Sequence, residues 1–377
     1  MRPPANATRP TLIALLTLAT VGLLQACGGG AETPPAVESG TESSTGKAIK
    51  AAWIYVSPVG DAGWTLAHDQ GRLALDDLDY LETAYTESVP EGAEAERTIS
   101  QYVRDGYNLI FTTSFGYMDP TINVATSSPD VTFMHCSGFK TADNVGTYFG
   151  RMYQPRYLSG IVAGKMTESG TIGYVAAHPI PEVIRGINAF TLGVRSVNPD
   201  AKVHIVWTQT WYDPAKEREA AESLLDVGAD VIAQHQDTPA PQQAAEARGG
   251  YSVGYNSDMS SFAPAAHLTA PIWNWEVVYR RVVEEVHDGT WSSGQYWGGL
   301  ADGVVDLAPY GEFVPQEVRD LVDARRAEIV AGSWDVFTGP INDQDGAVWV
   351  ADGETMSDPD MLGMTTLVEG VVGTIPG

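Results

Sequence analysis

The sequence is poor in cysteine and in basic residues. Its 377 residues include two cysteines and 22 lysines and arginines, against 48 aspartates and glutamates, which gives a net charge of −26. A surface of this sign repels nucleic acids and anionic lipid head groups, so we expect neither as a partner of the folded chain. The seven histidines lack metal-ligand spacing, and neither a GxxxxGK[ST] phosphate loop nor an HExxH zinc motif occurs. We therefore expect no metal, no cofactor and no enzymatic activity.

A long apolar run occurs at the amino-terminal end of the chain. Arg2 and Arg9 precede it, and "LLQAC" then places the small Ala26 directly before Cys27. The run is too short, and too soon interrupted, to span a membrane. This pattern is typical of a bacterial lipoprotein signal peptide, here residues 1–26, that is removed before Cys27 is lipidated. An ordinary secretory signal is the alternative.

Residues 27–47 are predicted to form a flexible tether. Gly, Pro, Ser, Thr and Glu dominate this segment, which cannot bury enough apolar area to fold. If Cys27 is acylated, Cys136 has no cysteine to pair with. Because "VTFMHCSG" has the pattern of a buried strand, we expect Cys136 to be a small core residue.

From Ala48 onward, strand-like segments alternate with helical ones. The strand-like segments include "AAWIYVS", "NLIFTTS", "VTFMHCS", "TIGYVAA" and "VIAQHQ", and the helical ones include "AEAERTISQYVRDG" and "AKEREAAESLLDVGA", which should end at Gly228. Repeated βα units with short connections predict parallel sheets covered by helices. The pattern occurs twice, with a change near residues 140–165, so the sequence predicts two α/β lobes.

The loops after these strands are rich in aromatic and hydrogen-bonding side chains. In "SPVGDAGWTLAHDQG", for example, a strand ends in a turn that carries Asp61, Trp64 and His68. Ligands of such sheets bind beyond the carboxyl ends of the strands. Rings for stacking together with a few directed polar groups suit a planar heteroaromatic ligand. The loops after the other strands carry further candidates: Ser114, Phe115, Tyr117, His178, Pro181, Trp211, His235, Asp237, Asn256, Asp258, Trp273, Asn274 and Trp275.

Six motifs follow one another in the body of the chain: "YVSPVGDAGWTLAHDQG", "TTSFGYMD", "NVGTYFGRMYQPRYLSGIVAGKM", "GINAFTLGVRSVNPDA", "VGYNSDMS" and "HLTAPIWNW". In this order they resemble the basic membrane protein (BMP) family of ABC-transporter substrate-binding lipoproteins, over about residues 50–372. The resemblance implies a type I periplasmic-binding-protein fold, in which two Rossmann-like α/β lobes are joined by three crossovers and the ligand lies in the cleft between them.

The resemblance also implies boundaries and partners. Residues 48–377 would form the folded body, with a first lobe at about residues 48–150 and 274–303 and a second at about residues 151–273 and 304–377. The best understood members of the family bind purine nucleosides, and a branch with closely similar motifs binds adenine. A purine base or nucleoside and an ABC permease are therefore the expected partners, at the outer face of the cell membrane that carries the lipid anchor.

Several positions match ligand-binding positions of the family. Asp61 and Trp64 match a first-loop aspartate and an aromatic residue, and Thr65 stands where nucleoside binders have asparagine. Phe190 matches the aromatic residue that covers the other face of the base, and Asp258 an aspartate near the ribose or the base edge. Asn256 and Trp273 occupy further ligand-binding positions of the family, and His68, Ser114, Phe115, His235 and Asp237, from the loops after the strands, complete the predicted site.

Two positions depart from the family pattern. Asn256 stands where many members have a second aspartate, and Trp273 stands where nucleoside binders have a lysine. Loss of that lysine removes a donor to ribose oxygens, and a tryptophan would fill the space of the sugar. The departure at Trp273 thus favours a free base over a nucleoside.

Structural roles remain open for the same residues. Trp64 could plug the lobe edge, and Phe190, on a helix, could be a core residue. Asp61 could satisfy free backbone donors at a helix N-terminus. His68 and His235 could reach the edge of the base or cap helices.

Three functions compete at this point. The first is a substrate-binding lipoprotein that captures a purine, such as adenine, or its nucleoside for an ABC importer. The second is a lipoprotein with the same cleft that signals to a membrane receptor. The third is a nucleoside hydrolase, which would need a carboxylate cluster with a metal, or a base held near the sugar.

Overall fold

The computed structural model describes residues 47–376. The predicted signal peptide, the predicted lipidation site Cys27 and all of the predicted tether except Lys47 lie outside the described residues. The strands are β1 Ile49–Ile54, β2 Leu81–Thr86, β3 Leu109–Thr112, β4 Thr132–Cys136, β5 Val145–Gly150, β6 Thr171–Ala176, β7 Lys202–Trp207, β8 Val231–His235, β9 Tyr251–Val253, β10 His267–Thr269, β11 Pro271–Trp273, β12 Gln295–Gly298, β13 Val305–Leu307, β14 Ile341–Asn342, β15 Val348–Val350 and β16 Val371–Val372.

The α-helices of the described residues follow most of the longer strands. They are α1 Trp64–Leu73, α2 Ala93–Arg104, α3 Met118–Thr126, α4 Tyr153–Met166, α5 Pro181–Val197, α6 Pro214–Asp226, α7 Ala240–Ala247, α8 Glu276–His287, α9 Gln316–Val330 and α10 Asp358–Leu362. Over residues 47–376 we find no helix with the length and apolar character needed to cross a membrane.

The strands form two parallel six-stranded sheets. The first has the order β12-β5-β4-β3-β1-β2 and the second the order β10-β9-β8-β6-β7-β16. Their central strands are continuous apolar runs, as expected when helices cover both faces of a sheet. Residues 51–54 of β1 and 231–233 of β8, for example, are fully buried. The predicted alternation of strands and helices is confirmed in both halves of the chain.

The chain passes between the two lobes three times. It leaves the first sheet after β5 and enters α4, which packs on α5, and it returns from β10 through β11 to α8, which packs on α1. It leaves again between β12 and β13. Strands β11 and β13 pair antiparallel, with Trp273 opposite Val305, so two of the crossovers run side by side. The predicted fold of two α/β lobes with three crossovers is confirmed.

The end of α6 shows how local sequence signals set these elements. Gly228 has a φ of 98°, and its N–H donates to the Leu225 carbonyl, while Ala229 donates to the Leu224 carbonyl. These two bonds form a Schellman motif, which satisfies the last carbonyls of the helix and favours glycine because a side chain would be strained at this φ. The glycine predicted to end this helix does so.

The loops of the two lobes touch beside the cleft. Ser257 Oγ, in the loop after β9, donates to the Ala62 carbonyl before α1 at 2.5 Å. The α-carbon of Gly63 lies so close to the Asp237 carbonyl that any side chain at position 63 would overlap it. The structure therefore shows the cleft in a closed arrangement, in which residues of both lobes can contact one ligand.

Candidate ligand-binding site

A cavity lies between the carboxyl ends of the two sheets, where ligands of parallel α/β sheets bind. It has about 370 Å³ of empty space, counting the part open to solvent. The first lobe contributes Val56, Trp64, Ser114, Phe115 and Ser137, and the second contributes Glu182, Trp211, His235, Asp237 and Tyr255.

Trp64, the first residue of α1, forms part of the first-lobe wall. Its indole Nε1 donates to the Thr113 carbonyl at 2.7 Å. Its ring meets His68, Trp273 and Trp275 edge-on, with ring centroids 4.4, 5.6 and 5.7 Å away. These contacts fix the orientation of the indole, so Trp64 both lines the cavity and packs against the lobe.

Ser114 and Phe115 continue this wall in the turn after β3. Ser114 Oγ donates to Glu91 Oε1 at 2.5 Å, and the backbone N–H of Gly116 donates to the same oxygen at 3.0 Å. Glu91 thus holds the loop in place. Trp64, Ser114 and Phe115 are all predicted site residues, and the structure brings them together around one cavity.

Trp211, Tyr255 and His235 form the second-lobe wall. They lie after β7, after β9 and at the end of β8. The His235 ring centroid is 4.5 Å from that of Tyr255 and 6.3 Å from that of Trp211. Burial lowers the pKa of His235 well below 6.5, and the Arg156 and Arg185 guanidinium groups lower it further, so the imidazole is neutral at physiological pH.

Asp237 is a buried carboxyl group at the cavity. Burial raises its pKa well above 3.8, and repulsion from the Asp61 and Glu217 carboxylates adds to the rise. Asn256 Nδ2 donates to Asp237 Oδ1 at 3.1 Å, which favours the ionised form but does not reverse the shift. A carboxyl with a raised pKa can offer an O–H donor as well as an acceptor to a ligand.

Glu182 is a second carboxyl at the cavity, in the first turn of α5. It accepts a hydrogen bond from Ser137 Oγ across the cleft. Burial raises its pKa, while the Ser137 hydroxyl and the Arg185 guanidinium oppose the rise. Burial in turn lowers the pKa of Arg185 to about 10. The second lobe therefore supplies most of the titratable groups of the site.

Asp61 and Thr65 lie behind the cavity wall rather than in it. Asp61 accepts hydrogen bonds from Ser57 Oγ and from the backbone N–H groups of Gly63, Thr65 and Leu66, at 2.7 to 3.1 Å. Its carboxylate thus satisfies the free donors at the start of α1, which is the structural role left open above. Burial raises the pKa of Asp61 despite these four bonds. Direct contact of Asp61 with a ligand stays a prediction.

His68 and Phe190 also lie outside the set of lining residues. His68 is fully buried, stacks on Trp275 at 4.6 Å, and its Nδ1 is 2.5 Å from the Tyr279 hydroxyl. Phe190 is fully buried within α5 and meets Tyr174 edge-on. Both occupy core positions, as helical aromatic residues often do. Direct contact of His68 and Phe190 with a ligand stays a prediction.

Trp273, Asn256 and Asp258 also lie outside the cavity lining. Trp273 stacks on Trp275 with ring centroids 4.4 Å apart, and its Nε1 donates to Asn256 Oδ1 at 3.0 Å. Asn256 also donates to Asp237, so it orients a lining residue. Asp258 is exposed and accepts from the backbone N–H of Ser260. Trp273 thus supports the wall below Trp64 instead of occupying the cavity.

Several lining residues were absent from the predicted site. Trp211 had been singled out only as a loop residue, and Val56, Ser137, Glu182 and Tyr255 were not assigned to the ligand. Four of the five lie within a few residues after a strand, so the end-of-strand rule alone would have found them. Glu182 instead follows Pro181 at the start of α5. An acidic residue in the first turn of a helix stabilises the helix dipole, so the sequence alone indicates no role for Glu182 at the cavity.

Metal clusters and nucleophile elbows, two features of many catalytic sites, can be sought within residues 47–376. There, we find no group of three or more His, Cys, Asp and Glu side chains placed to hold a metal ion. "GYSVG" at residues 250–254 has the spacing of a hydrolase nucleophile elbow, but its serine, Ser252, lies fully buried within β9. A nucleophile elbow requires an exposed serine on a strand-to-helix turn. Ser252 therefore does not form such an elbow.

Comparison with known proteins assigns the family. Residues 48–332 match the family described as ABC transporter substrate-binding protein PnrA-like (Bmp). A purine-binding protein of Brucella abortus is 46% identical over 330 residues, 87% of this chain and 94% of its own length. A putative ABC transporter glucose-binding protein of Haloferax volcanii is 45% identical over 335 residues, 88% of this chain and 83% of its own.

A solved structure supports the fold. An ABC-transporter solute-binding protein from Aeropyrum pernix K1 aligns with a TM-score of 0.67 and 20% identity, covering 78% of this chain and 93% of that chain. This likeness shows a shared type I periplasmic-binding-protein fold. Together with the family match over most of the folded body, it shows that the chain belongs to the Bmp family of PnrA-like ABC-transporter substrate-binding proteins.

Proposed function

We propose that this substrate-binding protein captures a purine nucleobase, such as adenine, in the cavity between its lobes and delivers it to an ABC permease. The observation that carries the proposal is the aromatic lining from both lobes: Trp64 and Phe115 on one side, Trp211 and Tyr255 on the other. A purine has two apolar faces and a polar edge, so it can stack on such walls and direct its polar atoms at a few groups.

Asp237 and Glu182 supply those polar groups. A protonated carboxyl offers one donor and one acceptor, the same pair that an amide side chain offers to the edge of adenine. Burial favours this protonated form in both residues, because it raises both pKa values. The ionised form would instead accept from ring N–H and amino groups, as in guanine. The protonation state of Asp237 should therefore influence the ranking of bases.

The relative from Haloferax volcanii makes glucose the second candidate, at nearly the same sequence identity as the purine-binding relative. A sugar carries hydroxyl groups around its ring, and each needs a partner once it is buried. The cavity lining contains no lysine, arginine, asparagine or glutamine among the described residues, and four of its ten side chains are aromatic rings of Trp, Phe or Tyr. This composition favours a nucleobase over a pyranose.

Isothermal titration calorimetry decides between these ligands. Adenine, guanine, hypoxanthine, xanthine, adenosine, inosine and D-glucose would be titrated into the protein after it has been unfolded and refolded to remove any ligand that copurified. We expect at least one free base to bind, more tightly than its nucleoside, and glucose not to bind. Binding of glucose without binding of any base would overturn the proposal. Release of free base from adenosine or inosine during the titration would reveal a hydrolase.

The place of action follows from the same proposal. Substrate-binding proteins of ABC importers work outside the cytoplasm, and the sequence pattern before Cys27 is that of a lipoprotein signal. We propose that a lipid on Cys27 anchors the protein to the cell membrane, since an acylated cysteine supplies the membrane affinity. Cys27→Ser should move the protein from the membrane fraction to the soluble fraction. A variant that still sediments with membranes after a carbonate wash would contradict the anchor.

A further inference from the structure

Three buried side chains form a chain of hydrogen bonds that ends at the cavity. The Trp273 indole Nε1 donates to Asn256 Oδ1 at 3.0 Å, and Asn256 Nδ2 donates to Asp237 Oδ1 at 3.1 Å. All three side chains belong to buried residues, and of the three only Asp237 lines the cavity. An occupant of the cavity therefore meets the last member of a chain whose other members lie in the core.

The direction of these bonds follows from the indole, which can donate a hydrogen bond but cannot accept one. The amide oxygen of Asn256 must face Trp273, so the amide nitrogen must face Asp237. If the amide turned over, its N–H groups would confront the indole N–H, and buried donors would lose their acceptors, which is costly in a core. Trp273 therefore fixes the orientation of the Asn256 amide.

The two oxygens of the Asp237 carboxyl consequently differ. Oδ1 faces an N–H group and must accept a hydrogen bond. Oδ2 makes no hydrogen bond within residues 47–376, and because Asp237 lines the cavity, Oδ2 is the oxygen available to an occupant. When this carboxyl carries a proton, the proton belongs on Oδ2, since a proton on Oδ1 would compete with the amide for the same place.

The surroundings of Asp237 favour the protonated carboxyl. The residue is buried, and the charges that act on it most strongly are those of the Asp61, Glu217 and Glu182 carboxyl groups. The Asn256 amide opposes them as a hydrogen-bond donor, yet burial and repulsion keep the pKa of Asp237 well above 3.8. Oδ2 therefore presents an O–H group to the cavity.

We propose that Trp273 and Asn256 are positioning residues that set the specificity of the site, because they make Asp237 Oδ2 a donor that recognises an unprotonated ring nitrogen of a purine. Neither of the two lines the cavity, so both act through Asp237. A ring N–H at the same place would confront the O–H group and be rejected. The choice of a purine rests on the proposed function, whereas the polarity of Asp237 does not.

Trp273→Phe tests this chain of hydrogen bonds. The phenyl ring keeps an aromatic side chain next to Trp275 but offers no donor to Asn256. The amide can then turn over and accept from Asp237 Oδ1–H, which leaves Oδ2 as a bare acceptor. Trp207→Phe is the matched control, because it also removes an indole N–H that donates to an oxygen, here a backbone carbonyl at 2.9 Å, and Trp207 does not line the cavity.

Calorimetry at pH 6 would compare adenine with 1-, 3- and 7-deazaadenine, in each of which a C–H group replaces one ring nitrogen. In the wild type and in Trp207→Phe, one replacement should weaken binding roughly tenfold or more, because it leaves the Asp237 hydroxyl without an acceptor. This penalty should fall at least roughly threefold in Trp273→Phe, in which Asp237 can donate to Asn256 instead.

The comparison separates positioning from packing. A purely structural role of Trp273 would weaken the binding of adenine and of its analogues by the same factor, so all penalties would stay equal to those of the wild type. That result would overturn the proposal. Binding of all three analogues to the wild type as tightly as adenine would overturn it as well, because no ring nitrogen would then accept from Asp237.

Neutron diffraction provides a second readout that needs neither a variant nor a ligand. Wild-type crystals exchanged into D2O at pD 6 should show deuterium on Asp237 Oδ2, and the deuterated Asn256 Nδ2 facing Oδ1. Deuterium on Oδ1, or on neither oxygen, would overturn the proposal. If adenine itself does not bind, the proposed function fails for adenine, while neutron diffraction still tests the polarity of Asp237.

Discussion

The two walls of the cavity are built in different ways. On the side of the first lobe, Trp273, Trp275 and His68 form a column of stacked rings, with centroids 4.4 and 4.6 Å apart, and Trp64 packs edge-on against all three. The second lobe instead brings buried titratable groups to its wall, among them Asp237 and partly buried Glu182, with arginines behind them. The first wall is stabilised by ring packing, whereas the second carries titratable groups that face the cavity.

Two histidines make the contrast specific. Both His68 and His235 are buried and have a pKa well below 6.5, chiefly because of burial. His68 stacks on Trp275 and has its Nδ1 close to the Tyr279 hydroxyl, while its Nε2 has no partner within the described protein. His235 lines the cavity, and its Nδ1 has no partner within the described protein. Residue type, burial and an unpartnered nitrogen are common to both histidines, and only their neighbours separate the ring packed within the lobe from the ring that lines the cavity.

The largest effect should come from opening the ring column. Trp275 is 1% exposed and stacks on both Trp273 and His68. Trp275→Ala should lower the free energy of unfolding by about 3–5 kcal/mol, because it leaves a large cavity in the core. Trp349→Ala, at a partly buried tryptophan of β15, is the control. Denaturant unfolding measures both. A loss at position 275 no greater than that of the control would show that the column does not stabilise the first lobe.

The next effect separates ligand binding from stability. Trp211→Ala should weaken adenine binding roughly tenfold to a hundredfold, since a base stacked on an aromatic side chain gains about 1–3 kcal/mol. Trp64→Ala should weaken binding to a similar extent, but it should also lower the melting temperature because the Trp64 indole donates to Thr113 and packs on His68.

Calorimetry and thermal melting of the two variants give this comparison. Normal adenine binding by Trp211→Ala would remove the second-lobe wall from the site. Normal binding by Trp64→Ala with a low melting temperature would make Trp64 a structural plug.

The contrast between the walls also explains how far the sequence could predict the structure. The apolar runs of the strands from β1 to β8 predicted the parallel sheets and the two lobes, because their burial patterns are strong and local. Strands of two or three residues, such as β10 and β16, carry too few positions for a pattern, and β16 joins the second sheet from the far end of the chain.

The site was predictable where a residue's place after a strand decides its role. Trp64, Ser114, Phe115, His235 and Asp237 were predicted in this way and all five line the cavity, while their contact with a ligand stays a prediction. Roles that depend on side-chain partners could not be read from the sequence. The carboxylate of Asp61, for example, turns back to four local donors, and Trp273 stacks on a neighbour two residues away.

A smaller and pH-dependent effect should come from Asp237. A carboxyl whose pKa is raised in the folded state makes the protein less stable as the pH rises from 3.8 to the raised value, because the folded state holds a proton that the unfolded state has lost. Asp237→Asn keeps the acceptor for Asn256 and removes this loss. The variant should match the wild type near pH 4 and melt at a higher temperature at pH 7.

Other carboxyls near Asp237 also titrate, so the difference between the two proteins is the quantity to measure. Asp61, Glu217 and Glu182 all raise its pKa by repulsion, and they remain in the variant. Melting curves from pH 4 to pH 8 for both proteins give the difference. A wild type more stable than Asp237→Asn at pH 7 would mean that the ionised carboxylate is well compensated, and that the second wall is satisfied within the protein after all.

The smallest effect is expected at an ion pair that joins the lobes outside the cavity. Asp358, the first residue of α10, accepts from Arg151 Nη1 and Nη2 at 2.8 and 2.6 Å, and Arg151 directly follows β5 at the first crossover. Its hydrogen bonds with Arg151 lower the pKa of Asp358, so the pair adds stability above pH 3.8 that is lost as the pH falls through the lowered value.

Asp358→Asn should therefore cost less than about 1 kcal/mol at pH 7, because the carboxylate is about half exposed and solvent screens the pair. The cost should shrink toward low pH, opposite in sign to the change expected for Asp237→Asn, and also in 1 M salt, where the Debye length is about 3 Å. Urea unfolding of Asp358→Asn at pH 2.5 and pH 7, and of Asp237→Asn at pH 4 and pH 7, each against the wild type, tests the opposition. The stability differences of Asp358→Asn and Asp237→Asn from the wild type could instead change with pH in the same direction. Burial would then not explain why the pKa values of carboxyls at the cavity wall and at the surface shift in opposite directions.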